Sequence, residues 1–348
     1  MRALTISEHG DLDKVTYRTD LPVPQPGSGE VRVRVHAAAL NHLDLWVLGG
    51  MPGVTIRPPW VLGAEAVGVV DTHRPDTPST APAVGRRVLI NPGVSDRTCE
   101  FCQKGEESLC VNYGLVGEHY QGTFAEYVVV PAANLRPIPK KIPLEAAAAF
   151  TLVTLTAWRM LVTRAAVQKG ETVLIWGIGG GVATAALQIA KLRGAIVWVT
   201  SSSDDKLARA RELGADRTFN HATEEVARQV RDLTGKRGVD VVVDDVGPAT
   251  WRKSLIALAK NGRLVTCGAT SGPTVETDVR KLFWNQYTIL GSTMGNDQEL
   301  ATILKHLRAG RLLPPIDAVY PLEDGRAALE RLQRGDQFGK IVLRMDTE

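Results

Sequence analysis

The chain has 348 residues, of which 44% are hydrophobic and 23% charged, a composition that argues against extended disorder. Its 41 basic and 38 acidic side chains leave a formal net charge of +3, too small and too dispersed to indicate nucleic-acid or membrane-surface binding. The first ten residues lack the apolar core of a secretory signal, and the uncharged stretch 172–190 is interrupted by four glycines. We therefore expect a soluble, cytoplasmic enzyme of roughly two domains.

The first third of the chain has the pattern of short strands. Residues 31–37 alternate between apolar and polar side chains, which predicts a strand with one buried face. Proline and glycine are frequent on both sides of this segment, at 22–29 and again at 52–59. Short strands separated by such residues favour an irregular β domain.

The pattern changes near residue 170, where apolar strands begin to alternate with helices. Four strands are predicted at 172–176, 195–199, 239–243 and 263–267. A helix is expected from Asp204 to Leu213, with Ser203 or Asp204 as its N-cap and Gly214 at its C-terminal end. This alternation predicts a parallel sheet that is covered by helices on both faces.

A glycine-rich turn, Gly177-Ile178-Gly179-Gly180-Gly181-Val182-Ala183, lies between the first of these strands and the helix that follows it. A dinucleotide pyrophosphate needs backbone N–H groups at a helix N-terminus, and small residues allow its close approach. The spacing is Gly-x-x-Gly-x-x-Ala, and a glycine run alone would also fit a flexible turn. Its position between strand and helix favours a cofactor site. The candidate ligands in the turn are Gly177, Gly179, Gly180, Gly181 and Val182.

The end of the second strand bears on the choice of cofactor. An NAD site usually has an acidic residue there, but this strand ends at Ser201, and Lys206 and Arg209 follow. Hydroxyl and cationic groups would accept the 2′-phosphate of NADP. The alternative is a serine-rich helix N-terminus beside a solvated Lys206. The pattern favours NADP and leaves NAD open.

Three of the four cysteines are crowded into twelve residues. Cys99, Cys102 and Cys110, with Asp96 just before them, have the spacing of a closed tetrahedral zinc site. We predict a structural zinc with these four ligands, because no position is open to substrate. Two alternatives remain: three reduced surface thiols, or a different fourth ligand. The other acidic candidates for that ligand are Glu100, Glu106 and Glu107.

Together these features resemble the medium-chain dehydrogenase/reductase superfamily, which includes zinc-containing alcohol dehydrogenases and quinone oxidoreductases. Besides the glycine turn and the cysteine cluster, the resemblance rests on the segments 41–44, 62–68, 122–127, 213–216, 244–247 and 338–340. It implies an α/β fold in which a GroES-like β domain, 1–150 and 286–348, is interrupted by a doubly wound Rossmann domain, 151–285. It also implies an active site in the cleft between the domains, cofactor contacts at Thr156 and Gly268, and a homo-oligomer, either a dimer or a tetramer.

The departures from the family bear on mechanism. The three positions that hold a catalytic zinc in family alcohol dehydrogenases match Asn41, Ala64 and Leu152 here. Two of these have no ligand atom, and an amide is a poor zinc ligand, so we predict no catalytic zinc. Asp44 and Glu65 match acids that surround that metal, and could instead be structural partners of Lys340 or of arginines.

What remains resembles the zinc-independent quinone and enone reductases. In these enzymes NADPH delivers a hydride to a conjugated carbon of the substrate. Asn41 and Asp44 are the candidate catalytic residues. Asn41 could donate a hydrogen bond to the substrate oxygen, or it could be a buried turn amide. The alternatives are an NAD(P)-dependent alcohol dehydrogenase and a nucleotide-binding protein without activity.

Overall fold

The computed structural model describes residues 1–345. Its strands are β1 (Ala3–Ile6), β2 (Thr16–Arg18), β3 (Glu30–Ala39), β4 (Trp60–Val61), β5 (Glu65–His73), β6 (Arg87–Ile90), β7 (Gly93–Val94), β8 (Gly114–Leu115), β9 (Tyr127–Pro131), β10 (Leu135–Pro137), β11 (Thr172–Ile175), β12 (Ile196–Ser201), β13 (Arg217–Asn220), β14 (Val239–Val243), β15 (Leu258–Thr266), β16 (Thr288–Gly291), β17 (Ile316–Pro321) and β18 (Lys340–Arg344). Its α-helices are α1 (His42–Gly49), α2 (Glu100–Gln103), α3 (Leu144–Ala148), α4 (Thr151–Trp158), α5 (Gly181–Leu192), α6 (Asp204–Glu212), α7 (Val226–Leu233), α8 (Trp251–Ala257), α9 (Val279–Trp284), α10 (Asp297–Arg308) and α11 (Gly325–Gln333).

The chain forms two compact units. The first contains residues 1–152 and the described residues from Asn296 onward, and the second contains Val153–Gly295. None of the helices in the described part of the chain combines the length and the apolar character needed to cross a bilayer.

The first unit is built on a seven-stranded sheet in the order β10-β6-β5-β3-β18-β17, with β9 also paired to β3. The predicted alternation is confirmed in β3, where Val31, Val33 and Val35 are fully buried and the side chains between them are partly exposed. Strand β18 pairs antiparallel with β3, with Val342 opposite Ala39. This pairing joins the N-terminal and C-terminal segments of the unit and brings Lys340 beside the start of α1.

The second unit contains a six-stranded sheet in the order β13-β12-β11-β14-β15-β16, and every pairing in it is parallel. This order is that of the doubly wound dinucleotide-binding fold, in which the strand order reverses between the two central strands. Apolar side chains on the central strands, such as Leu174, Val242 and Leu264, are fully buried. The fold class predicted from the sequence is confirmed. The sheet has two strands beyond the four predicted, β13 and β16, one at each edge, and β16 lies beyond residue 285.

Candidate functional site

The glycine turn connects β11 to α5 in the second unit. Gly177 has a φ of +69°, a left-handed conformation that favours glycine. Its N–H donates to Thr200 Oγ1 at 3.3 Å, and the N–H of Ile178 donates to the Thr200 carbonyl at 2.9 Å. The turn is therefore held against the end of β12, a role of Thr200 that the sequence analysis missed. The N–H groups of the first turn of α5 have no intrahelical partners, so the geometry fits a pyrophosphate.

Ser201 lies at the end of β12 and is buried. Its hydroxyl oxygen accepts a hydrogen bond from the Ser203 N–H at 3.1 Å. Of the two predicted candidates, Ser203 is the N-cap of α6, and its oxygen accepts from the Lys206 N–H at 3.4 Å. Asp204 in the first turn of α6 accepts from Asn220 Nδ2 at 2.8 Å. The predicted residues are thus grouped at the end of β12, together with the Asp204 carboxylate, which the sequence analysis considered only as an N-cap.

The two remaining cofactor candidates lie elsewhere in this unit. Gly268 lies two residues after the end of β15, at the same carboxyl edge of the sheet as the glycine turn, and its carbonyl accepts from Thr266 Oγ1 at 3.0 Å. Thr156 is a buried residue of α4 whose hydroxyl lies 3.6 Å from the sulfur of Met294. Gly268 is therefore placed at the sheet edge where such folds bind ligands.

The cysteine cluster lies in the first unit. One ligand atom each from Asp96, Cys99, Cys102 and Cys110 can be chosen so that all four lie within 4.8 Å of one another. The sulfurs of Cys99 and Cys102 are 3.6 Å apart. Zinc bonds of about 2.3 Å would separate tetrahedral sulfur ligands by roughly 3.8 Å, so the residues fit this metal. In the described part of the chain, this is the one group of three or more acidic, cysteine or histidine side chains with such geometry.

Hydrogen bonds orient the acidic member of the cluster. Asp96 Oδ1 accepts from the N–H groups of Thr98 and Cys99 at 2.8 and 3.0 Å, and these bonds hold its pKa well below the ordinary value. Asn112 Nδ2 donates to Asp96 Oδ2 at 2.8 Å. Asn112 was missed in the sequence analysis, although its position two residues after Cys110 was a local signal. Glu107, one of the alternative candidates for the fourth ligand, instead accepts a hydrogen bond from the Asp297 N–H at 3.2 Å.

A buried polar network surrounds the start of α1 in the first unit. The Lys340 ammonium lies 2.9 Å from Glu65 Oε1, and both side chains are almost fully buried, with 2% and 0% exposure. The ammonium also donates to Asn41 Oδ1 at 2.5 Å and to the Leu40 carbonyl at 2.6 Å. Glu65 Oε2 accepts from the Leu152 N–H at 2.7 Å. All three donors of the lysine therefore have acceptors within the protein.

Asn41 and Asp44, the two catalytic candidates, belong to the same network. The Asn41 side-chain amide donates to the Ala39 carbonyl and to Glu65 Oε1, both at 3.2 Å. Because both of its hydrogens are engaged, the geometry favours a buried turn amide over a donor to substrate. Asp44 accepts from the N–H groups of Asn41 at 2.7 Å and Gly63 at 3.2 Å. Asp44 therefore caps α1 and fastens it to the turn at Gly63.

Burial dominates the electrostatics of this network. It raises the pKa of Asp44 to about 7, against the opposing effect of its backbone donors. Burial, followed by the Lys340 charge, lowers the pKa of His42. Ala64 is fully buried and Leu152 is partly buried, and neither has a ligand atom. The three positions that match the family's zinc ligands thus hold a methyl group, an isobutyl group and an engaged amide.

Comparisons with known proteins agree with this architecture. Residues 27–140 match the family model of the alcohol dehydrogenase GroES-like domain, and residues 181–309 match that of the zinc-binding dehydrogenases. A solved structure described as an NAD-dependent alcohol dehydrogenase is 44% identical, has a TM-score of 0.94, and covers 99% of this chain and 100% of its own. The acryloyl-coenzyme A reductase of Metallosphaera sedula is 31% identical over 99% of both chains. Human quinone oxidoreductase is 26% identical over 99% of this chain and 97% of its own.

The chain therefore belongs to the medium-chain dehydrogenase/reductase superfamily, as its sequence motifs predicted. It is an NAD(P)-dependent oxidoreductase of the alcohol dehydrogenase and quinone reductase type.

Proposed function

We propose that this protein is a reductase of quinones or enones that transfers hydride without a metal at the substrate. The observation that supports this proposal is the engaged network around Lys340. Ala64 and Leu152 have no ligand atom, and both amide hydrogens of Asn41 are bonded within the protein. Without a Lewis acid, an alcohol would have to lose a proton with a pKa of roughly 16 before hydride could leave. Reduction of a conjugated carbonyl avoids that step, because the electrons delocalise onto oxygen.

The proposed roles of the residues follow from their positions. NAD(P)H, when bound, supplies the hydride. The turn from Gly177 to Gly181 and the start of α5 bind its pyrophosphate, and Gly268 lines the sheet edge farther along. The Ser201 hydroxyl, with Lys206 near it along the chain, favours the 2′-phosphate of NADP. Asn41 and Asp44 act as positioning residues that hold the start of α1.

The proposal includes one structural zinc, bound by Asp96, Cys99, Cys102 and Cys110. Its support is the convergence of three sulfurs and one carboxylate within 4.8 Å. The zinc would cross-link a lobe that has only short helical segments, α2 among them. Because such thiols must remain reduced to bind metal, we place the protein in the cytoplasm.

We also propose a homo-oligomer, either a dimer or a tetramer. Strand β16 ends the parallel sheet, and its outer edge has no partner strand within the described chain. On the adjacent α9, Phe283 and Trp284 are 63% and 75% exposed, as is expected of a surface that a second copy covers.

The test of the proposed function is a paired assay on purified protein of measured zinc content. NADPH oxidation is followed with a panel of quinones and enones, and NAD(P)⁺ reduction is followed with simple alcohols. We expect turnover of the conjugated acceptors with about one zinc per chain. Alcohol oxidation that requires a second zinc would establish the alcohol dehydrogenase alternative, which the 44% identical structure favours. Cofactor binding without turnover of any acceptor would establish the non-enzymatic alternative.

A further inference from the structure

Two adjacent carboxylates follow β14, at the point where the strand order of the parallel sheet reverses, and their environments differ. Asp244 is fully buried and accepts four hydrogen bonds: two from the N–H groups of Val246 and Gly247, and two from the hydroxyls of Thr250 and Ser254. It therefore has a structural role. Asp245 is partly exposed, and no side chain of the described residues donates to its carboxylate.

Asp245 lies at the crevice where this fold binds its cofactor. In doubly wound sheets the ligand lies outside the carboxyl ends of the strands, at the reversal of strand order, which here falls between β11 and β14. The glycine turn follows β11, and a Cβ atom at Gly177 would lie 3.9 Å from Val246, the residue next to Asp245. On the other side, the loop after β15 is joined to this segment, because the Thr270 N–H donates to the Asp245 carbonyl at 3.1 Å.

The position of Asp245 along the sheet indicates which half of the cofactor it meets. The end of β12, with Ser201, lies on the adenosine side of the glycine turn, because the residue there contacts the adenosine ribose. Strands β14 and β15 lie on the opposite side of β11 and receive the other nucleotide. Burial raises the pKa of Asp245 to about 6, with a further contribution from Asp244, so the group is charged at about pH 8.

We propose that Asp245 faces the nicotinamide half of the cofactor, where its carboxylate stabilises the cationic oxidised ring relative to the neutral reduced ring. A negative charge within several ångströms of the ring changes the affinity of the oxidised form through Coulomb attraction. It has no such effect on the reduced ring. Asp245 is thus a residue that sets the balance between the two redox forms of the bound cofactor, and the inference rests on the established cofactor class of the family.

The test compares the dissociation constants of the oxidised and reduced cofactors at about pH 8, with the full chain and no substrate. NAD⁺ and NADH are titrated by calorimetry, and NADP⁺ and NADPH in parallel, against the wild type and Asp245→Asn. We expect the substitution to weaken the oxidised form relative to the reduced form by about tenfold. The isosteric amide removes only the charge, and the affinity for ADP, which has no nicotinamide, should not change.

Asp205→Asn is the matched control. Asp205 is an exposed acid in the first turn of α6, on the adenosine side, so its loss should change both redox forms equally. The proposal would be overturned if the ratio of the oxidised to the reduced dissociation constant in Asp245→Asn stays within twofold of the wild-type ratio. It would also be overturned if the substitution weakens the oxidised cofactor, the reduced cofactor and ADP equally. A wild-type protein that binds neither dinucleotide would instead contradict the cofactor site itself.

Discussion

The buried ion pair between Lys340 and Glu65 permits a quantitative prediction about stability. Lys340→Met removes the ammonium and leaves the Glu65 carboxylate buried with 0% exposure. It also leaves Asn41 Oδ1 and the Leu40 carbonyl without the donor that each has at 2.5–2.6 Å. Removal of one partner from a buried pair costs about 3–5 kcal/mol. In a unit of this size we expect the midpoint of thermal unfolding to fall by roughly 10 °C.

The measurement is calorimetric or spectroscopic unfolding of the full chain, with two comparison variants. Lys14→Met removes a lysine that pairs with an exposed partner, Glu8, and should lower the unfolding free energy far less than Lys340→Met does. The double variant Lys340→Met/Glu65→Gln removes both charges and should be more stable than Lys340→Met alone. This recovery is expected because the uncompensated carboxylate, rather than the lost contact, causes most of the destabilisation.

Two results would refute this reasoning. If Lys340→Met costs less than about 1 kcal/mol, the ammonium does not compensate a buried charge. If Lys340→Met/Glu65→Gln is no more stable than Lys340→Met, the loss of stability comes from packing around the side chains.

Three further predictions concern the metal, the cofactor and the network. Cys102→Ser should release the zinc, while Cys267→Ser should retain it; metal analysis decides, and unchanged zinc in Cys102→Ser would contradict the assignment. Ser201→Asp should weaken NADPH binding by about tenfold and NADH binding much less, because the new carboxylate repels the 2′-phosphate; equal weakening or a wild-type preference for NADH would count against it. Asn41→Ala should cost about 1–3 kcal/mol of unfolding free energy and leave kcat within about twofold. A drop of tenfold or more in kcat at unchanged stability would instead indicate a donor to substrate.

The parallel sheet was the part of the fold most open to sequence-based prediction. Its central strands are largely apolar, and the predicted strand at 239–243 has the same bounds as β14. Strands β13 and β16 were not predicted, because edge strands have fewer buried positions and a weaker apolar signal. The cysteine cluster was predictable because its four candidate ligands lie within fifteen residues of one another along the chain.

The Lys340 network could not be predicted from local sequence patterns, because it depends on contacts between residues that are far apart along the chain. Lys340 and the Leu40 carbonyl are 300 residues apart in sequence, and they meet because β18 pairs with β3. No hydrophobic periodicity or motif spacing in the sequence predicts such a strand pairing. Family resemblance identified Glu65 and Lys340 as possible partners, but only the hydrogen bonds show that Asn41 lies between them. The same limit applied to Asp245, since two neighbouring aspartates look equivalent until their donors are counted.

The network also explains how the fold accommodates the buried Glu65 carboxylate although Ala64 and Leu152 offer no metal-ligand atom at the matching positions. Each oxygen of Glu65 has donors, from Lys340 and Asn41 on one side and from Leu152 on the other. A lysine ammonium has one positive charge and three donors, and here all three donors are used by protein acceptors. A zinc ion in a catalytic site must instead keep one position open for substrate. The lysine can therefore balance the charge of the buried acid, but it cannot polarise a substrate oxygen while these bonds persist. Charge stabilisation during hydride transfer must accordingly come from other groups.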